Sequence, residues 1–147
     1  MVKNNKSKKI VITFGTFDLF HIGHLRILER AAALGDVLLV GVSSDELNFN
    51  KKKTYPTYCQ QDRMEIVNAI KCVGGVFLEE SLEKKREYLL HHKGAILVMG
   101  DDWEGKFDEF SDIVEVVYLQ RTELISTTEA KNRIIDQAGK VYDPVFP

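Results

Sequence analysis

His21 and His24 stand three residues apart, with Gly15 and Gly23 close by, in the segment Gly15-Thr-Phe-Asp-Leu-Phe-His21-Ile-Gly-His24. Ahead of it, Ile10, Val11, Ile12 and Phe14 form a short β-branched and aromatic run; behind it, Ile22, Leu25, Leu28 and Ala32 recur at helical spacing. The histidines therefore sit where a strand feeds a helix N-terminus, and there unpaired amides and the positive end of the helix dipole favour an anion such as phosphate. Glycine lacks a Cβ, so Gly15 and Gly23 let the backbone turn sharply and let a ligand come close. Taken alone, two histidines at this spacing are equally solvated caps or half of a metal site. The strand context, the glycines and Asp18 favour phosphate. A zinc site wants a third protein ligand, and the remaining histidines, His91 and His92, end a charged helical stretch whose C-terminus accounts for them. No metal site made of protein side chains is expected.

A second group of residues points the same way. In Ser126-Thr127-Thr128-Glu129 a hydroxyl residue is followed three positions on by Glu, a capping box that explains these residues by itself. Arg121 adds a planar fork suited to phosphate oxygens, so guanidinium and helix start together make a second anion site. Two cationic helix starts imply a polyphosphate. Gly100-Asp101-Asp102-Trp103 offers carboxylates for ribose hydroxyls beside an aromatic ring, and equally fits a Gly-Asp turn with a packed indole. Lys51, Lys52 and Lys53 fit solvated loop charge as well as a phosphate clamp that closes over substrate.

These groups can act together only if the fold gathers residues 15–24, 100–103 and 121–128 at one edge. After the first helix, with Gly35 as its stop, residues 37–42 form a nearly continuous apolar run, as expected of a parallel strand covered on both faces. Residues 48–57 have no period and read as a loop. Residues 62–71 read as a helix, 76–78 as a third strand, and 82–92 as a helix with Leu82, Leu89 and Leu90 on its buried side. Residues 95–99 and 113–119 are the fourth and fifth strands, and Ser126 opens a last helix with Ile134 and Ile135 facing inward. Five strands interleaved with helices predict an α/β fold, a doubly wound, mostly parallel sheet with right-handed crossovers. Such sheets bind ligands at the carboxyl ends of their strands near a switch in strand order. The histidine turn, the Gly100 segment and the Arg121 segment all follow strands at that edge, and so does the lysine run.

The chain has 147 residues, one domain's length, enough to bury roughly 70% of its extended surface. We expect a basic tail over residues 1–8, a single domain over 9–138 and an extension over 139–147. A net charge of −2 argues against nucleic acid as a partner, and no apolar run approaches the ~20 residues of a membrane span. Cys59 and Cys72 lack metal-type spacing, and with no charged-then-apolar leader they read as free thiols in a cytoplasmic protein.

Three segments together, residues 15–24, residues 100–108 (Gly-Asp-Asp-Trp-Glu-Gly-Lys-Phe-Asp) and residues 121–128 (Arg-Thr-Glu-Leu-Ile-Ser-Thr-Thr), resemble the signatures of bacterial cytidylyltransferases of the HxGH nucleotidyltransferase superfamily, above all the glycerol-3-phosphate enzymes. The resemblance runs from about Lys9 to about Ile135. It implies a Rossmann-like homodimer that binds CTP with Mg²⁺ and transfers the cytidylyl group to a small phosphomonoester, work belonging to cell-surface polysaccharide biosynthesis. In it His21, His24, Lys51, Lys53 and Arg121 would be catalytic. The nucleotide would be held by Gly15, Thr16, Phe17, Asp18, Gly23 and His24 in the first segment and by Gly100, Asp101, Asp102 and Trp103 in the second. Arg121, Thr122, Ile125, Ser126, Thr127 and Thr128 complete that set, and Asp45, Lys51 and Arg63 would face the acceptor.

The chemistry agrees. A phosphomonoester has a second pKa of about 6, so the acceptor is already nucleophilic at neutral pH and positioning must carry the rate. The glycerol-3-phosphate enzymes carry an acidic pair where this chain has Gly74-Gly75, a Trp where it has Leu82 and a Gly where it has Leu124, and the loop before Arg63 is a residue longer here. Those departures touch the acceptor more than the nucleotide, so phosphoethanolamine, phosphocholine and phosphoglutamine stand beside glycerol 3-phosphate. A nucleotide-binding module without turnover is the reading from another class; the intact histidine pair and lysine run argue against it.

Overall fold

The computed structural model describes residues 7–122 and 126–141. Five strands, β1 (Ile10–Gly15), β2 (Val37–Ser43), β3 (Gly75–Glu79), β4 (Ile96–Gly100) and β5 (Glu115–Leu119), form one sheet in the order β3-β2-β1-β4-β5. Every neighbouring pair is parallel. The chain builds outward from β1 through β2 to β3, then crosses back to lay β4 on the other side of β1. The switch in strand order therefore lies between β1 and β4, where such sheets open a crevice.

Alternation along the strands feeds two cores. Val11, Leu38, Val40, Val42, Ile96 and Val98 pack with Leu28 and Ala31 of α1 (Ile22–Ala32) and Val67 of α3 (Gln60–Asn68). On the opposite face Ile12, Phe14, Leu97 and Met99 meet Leu89 of α4 (Lys85–His91) and Phe110, which lies in the second of two 3-10 turns, Asp101–Trp103 and Asp108–Asp112. Gly41 matters here, because a Cβ at that position would collide with the ring of Phe14 across the β1–β2 pair.

Three expectations are corrected. The lysine run does not lie in an open loop: α2 (Asp45–Lys52) takes in Lys51 and Lys52, and Lys53 is its C-cap. This helix buries only Leu47 and Asn48, and it is held at its ends, by Ser44 Oγ accepting the Leu47 amide, acidic Asp45 and Glu46 in the first turn and lysines in the last. On α4 Lys85 and Leu89 are the buried residues, while Leu82, ahead of the helix, and Leu90 are 45% and 57% exposed. On α5 (Thr127–Val141), Ile134 and Ile135 face solvent at 58% and 67% exposure, so no part of the described chain covers that face.

Candidate active site

The turn from β1 into α1 is built from bulky residues in a conformation they rarely adopt. Phe17 and Leu19 have φ of 55° and 48°, while Gly15 keeps a negative φ. Gly15 serves close approach instead, since a Cβ there would lie 2.8 Å from the Phe17 ring. That ring is buried and meets His24 edge-on at 5.4 Å.

The two histidines cap α1 themselves. His21 is the N-cap, and its Nδ1 accepts the Gly23 amide at 3.0 Å; His24 Nδ1 accepts the His21 amide at 3.2 Å, closing a capping box made of imidazoles. An Nδ1 that accepts carries no proton, so each neutral ring keeps its proton on Nε2. The rings stack at 3.8 Å, and His21 Nε2 lies 3.4 Å from Thr127 Oγ1, which itself donates to the Asp18 carbonyl. Burial pushes His24 down to about 4, helped by neighbouring His21 and opposed by Asp18. Burial and the Arg121 charge lower His21 as well. Two neutral N–H donors thus sit at a helix N-terminus, the form suited to binding phosphate oxygens without a resident charge.

Asp18 supports this turn from beneath. It is 5% exposed, and its carboxylate accepts the amides of Thr57 and Tyr58 at 2.7 and 2.9 Å, with Lys131 at 3.8 Å. Burial works to raise its pKa, and the two amides together with Lys131 overcome that and hold it low. Arg63, fully buried, donates to the carbonyls of Tyr58 and Thr16 and to Asp45 Oδ1, at 2.9, 2.7 and 2.7 Å. Asp45 also exchanges hydrogen bonds with Gln60. Asp45 and Arg63, expected to face the acceptor, are therefore a brace under the turn, and neither reaches the cleft lining.

Across the cleft lies an ion pair that the sequence does not announce. Glu79 at the end of β3 and Lys85 at the start of α4 are 2% and 4% exposed at their side chains, and they meet at 2.7 Å. Ser43 Oγ donates to Glu79, and the Lys85 ammonium lies 3.7 Å from the Phe14 ring centroid. Burial lowers Lys85 against the opposing pull of Glu79. Lys51 reaches the same region, where desolvation lowers it, again opposed by Glu79. Nearer the surface Arg121 pairs with Asp102 at 2.9 Å, both about half exposed, a contact worth little in stability and open to exchange.

These groups surround a cleft at the carboxyl edge of the sheet, with a large lobe of about 710 Å³ and a smaller one of about 270 Å³. His24, Lys52, Arg121, Thr127 and Thr128 line both lobes, which are thus parts of one crevice. Gly15, Thr16, Phe17, Asp18 and Lys51 line the large lobe from the β1–β2 side, and Gly100, Asp102 and Trp103 line it from the β4 side. His21, Gly23, Thr122 and Ser126 line the small lobe. Ser126 Oγ caps α5 through the Glu129 amide, while the Glu129 carboxylate meets Arg133 instead of completing a box.

Besides Asp45 and Arg63, two more expected residues are not brought in. Asp101 opens a 3-10 turn and Lys53 caps α2 in the left-handed region at φ 61°, and neither lines a lobe. Ile125 lies outside the described residues. Sequence reasoning missed Ser43, Asn48, Glu79 and Lys85, which all line the large lobe, as does Lys52 of the expected lysine clamp. Ser44 capping a helix after β2 was the readable signal for Asn48; the Glu79–Lys85 pair has none, because both are residue types that almost always face water. Among the described residues no group of three or more His, Cys, Asp or Glu is placed to hold a metal ion, and no helix is long and apolar enough to cross a membrane.

Comparison with known proteins fits this geometry. The chain is 51% identical to the glycerol-3-phosphate cytidylyltransferase of Bacillus subtilis (strain 168), covering 86% of this chain and 97% of that protein. It is 43% identical to the Staphylococcus aureus (strain NCTC 8325 / PS 47) enzyme of the same name, over 90% and 99% of the two chains. In fold it is similar to the lipopolysaccharide core biosynthesis protein of Thermoplasma volcanium GSS1, with a TM-score of 0.68 and 22% identity over 79% of this chain and 99% of that one. The family described as cytidylyltransferase-like matches residues 12–133, from within β1 into α5 and across the whole crevice, and this chain belongs to it.

Proposed function

We propose that this chain transfers a cytidylyl group from CTP to a small phosphomonoester, glycerol 3-phosphate in the first instance, and releases pyrophosphate. The observation that carries the reading is the stacked pair of neutral imidazoles at the α1 N-terminus, each with its proton on Nε2, on rings that line the crevice; the His21 proton has only a long contact to Thr127 Oγ1, at 3.4 Å, to give up. Identities of 43% and 51% to glycerol-3-phosphate cytidylyltransferases support the nucleotide and the acceptor. The small lobe, with His21, Arg121 and Ser126, suits the outer phosphates; the large lobe has room for the nucleoside and the acceptor.

The acceptor arrives as a dianion, so no catalytic base is required. One of its oxygens attacks the α-phosphorus in line, the bond from that phosphorus to the bridging oxygen breaks, and the electron pair leaves on pyrophosphate. Charge then grows on oxygens that face the Nε2–H groups of His21 and His24 and the α1 N-terminus. Arg121 meets the same charge by exchanging Asp102 for phosphate. Lys51 and Lys85 would draw the acceptor phosphate toward the β3 side. Mg²⁺ would neutralise triphosphate charge and be held by the nucleotide's own oxygens, because Asp18 and Glu79 are already bonded to amides or to a cation.

The uncovered Ile134 and Ile135 support a homodimer that buries this face of α5. The reaction would run in the cytoplasm, where CTP is available, and its CDP-linked product would serve cell-surface polysaccharide assembly. Incubation with CTP, Mg²⁺ and a panel of glycerol 3-phosphate, phosphoethanolamine, phosphocholine and phosphoglutamine tests the reading. Pyrophosphate release with glycerol 3-phosphate alone is expected. Release with another acceptor reassigns the substrate, and no release with any leaves a binding module.

A further inference from the structure

We propose that Lys52 is the lysine of the leaving group, holding the outer phosphates of the nucleotide across the crevice from Arg121, while Lys51 works on the acceptor side. This rests on the cytidylyl-transfer reading above and divides the lysine run by position. Lys51 and Lys52 are consecutive in the last turn of α2, so their side chains diverge by about 100° around the helix. Lys51 lines only the large lobe, and Glu79, Lys85 and, less strongly, its neighbour Lys52 are the charges that act on it. Lys52 lines both lobes, sharing that boundary with His24, Arg121, Thr127 and Thr128. The boundary is where an α-phosphate held by His24 passes into outer phosphates held by Arg121 and Ser126. Lys53 leaves the helix in the left-handed region and lines neither lobe.

The chemistry gives this position a job. As the acceptor oxygen bonds to the α-phosphorus, the bridging P–O bond breaks and its electron pair becomes charge on pyrophosphate, with no proton transferred. A fixed ammonium at the lobe boundary meets that charge as it forms, together with Arg121 on the opposite wall. Lys52 is exposed and makes no hydrogen bond or ion pair among the described residues, so it is available to a ligand and its replacement removes nothing from the core.

The test compares Lys52→Gln, Lys52→Arg and Lys53→Gln, with melting temperatures recorded to exclude misfolding. Binding is read from the fluorescence of Trp103, the single tryptophan, which lines the large lobe. Lys52→Gln is expected to weaken CTP binding and pyrophosphate product inhibition about tenfold or more and to leave CMP binding unchanged; Lys52→Arg is expected to restore most of both. The Lys53→Gln effect on CTP is expected to be smaller than that of Lys52→Gln. Equal losses for CMP and CTP, unchanged pyrophosphate inhibition, or a larger effect at Lys53 would overturn the assignment. The CTP and CMP arms read binding alone, so they judge Lys52 even if the wild-type protein turns over no acceptor, a result that would count against the underlying reading.

Discussion

The imidazoles of His21 and His24 stack 3.8 Å apart while each gives its Nδ1 to a backbone amide of the same helix start. One pair of side chains thus caps α1 and presents two N–H donors. The two roles use different nitrogens, and substitutions can separate them. His24→Ala loses both, with an expected cost of about 1 kcal/mol in stability for the cap and about 3 kcal/mol in barrier, a rate loss of 10² or more. His24→Asn keeps an acceptor near Nδ1 and has nothing at Nε2. Its melting temperature should stay close to wild type while its turnover falls as far as that of the alanine variant; equal turnover for Asn and wild type would remove His24 from the chemistry.

The buried histidine also sets a pH dependence of stability. Its pKa falls from 6.5 to about 4 on folding, so between those values the unfolded chain takes up a proton that the folded chain refuses. Stability is then complete above pH 6.5 and declines as pH falls toward 4, by at most about 3 kcal/mol before solvent screening and by roughly 2 after it. His21, also lowered, adds in the same direction. Melting temperatures from pH 7.5 to 4.5 should fall more steeply for wild type than for His24→Asn, and parallel curves would show that His24 does not contribute.

Much of this arrangement can be read from the chain, for reasons that differ by residue. The runs at Ile10–Phe14 and Val37–Val42 are short, apolar and bounded by turns, so strand position and the carboxyl edge follow, and with them His21, His24, Gly100 and Arg121. α2 is hidden because Asn-Phe-Asn-Lys-Lys carries no apolar period; its caps hold it, not a buried stripe. Ile134 and Ile135 look like an inward face in the sequence, and the described residues supply nothing to cover them. Arg63, Glu79 and Lys85 belong to types that almost always face water, so only the three-dimensional register shows that they are buried together with their partners.

Glu79 and Lys85 yield a prediction of their own. Removing one member of a buried pair strands the other, at a typical cost of 3–5 kcal/mol, whereas replacing both with apolar groups of similar size is often close to neutral. Glu79→Leu and Lys85→Met should each lower the melting temperature strongly, and the double variant should recover much of the loss. Ser43 loses its carboxylate acceptor in the double variant, which makes full recovery unexpected. If Lys85 also draws the acceptor phosphate, the stabilised double variant will keep its CTP affinity and show a raised KM for the acceptor. A double variant with wild-type acceptor KM would confine the pair to structure.

Arg63 separates a brace from a binding residue. Its guanidinium reaches the Thr16 carbonyl, the Tyr58 carbonyl and Asp45 with three different nitrogens, tying the β1–α1 turn, the segment after α2 and the start of α2 to one point. A lysine ammonium is a single point on a flexible stem and cannot meet three acceptors in that fork, so Arg63→Lys leaves at least one buried acceptor unpaired. A loss of roughly 2–4 kcal/mol is expected, within the range for breaking a buried charged network. Because the Thr16 carbonyl belongs to the turn that carries the histidines, the turn loosens for both substrates, and KM for CTP and KM for the acceptor should rise together while kcat falls. A residue that touched the acceptor would instead raise the acceptor KM alone and leave the melting temperature near wild type. Steady-state kinetics in both substrates, with a thermal melt on the same preparation, distinguishes the two outcomes, and the burial of Arg63 beneath the turn calls for the first.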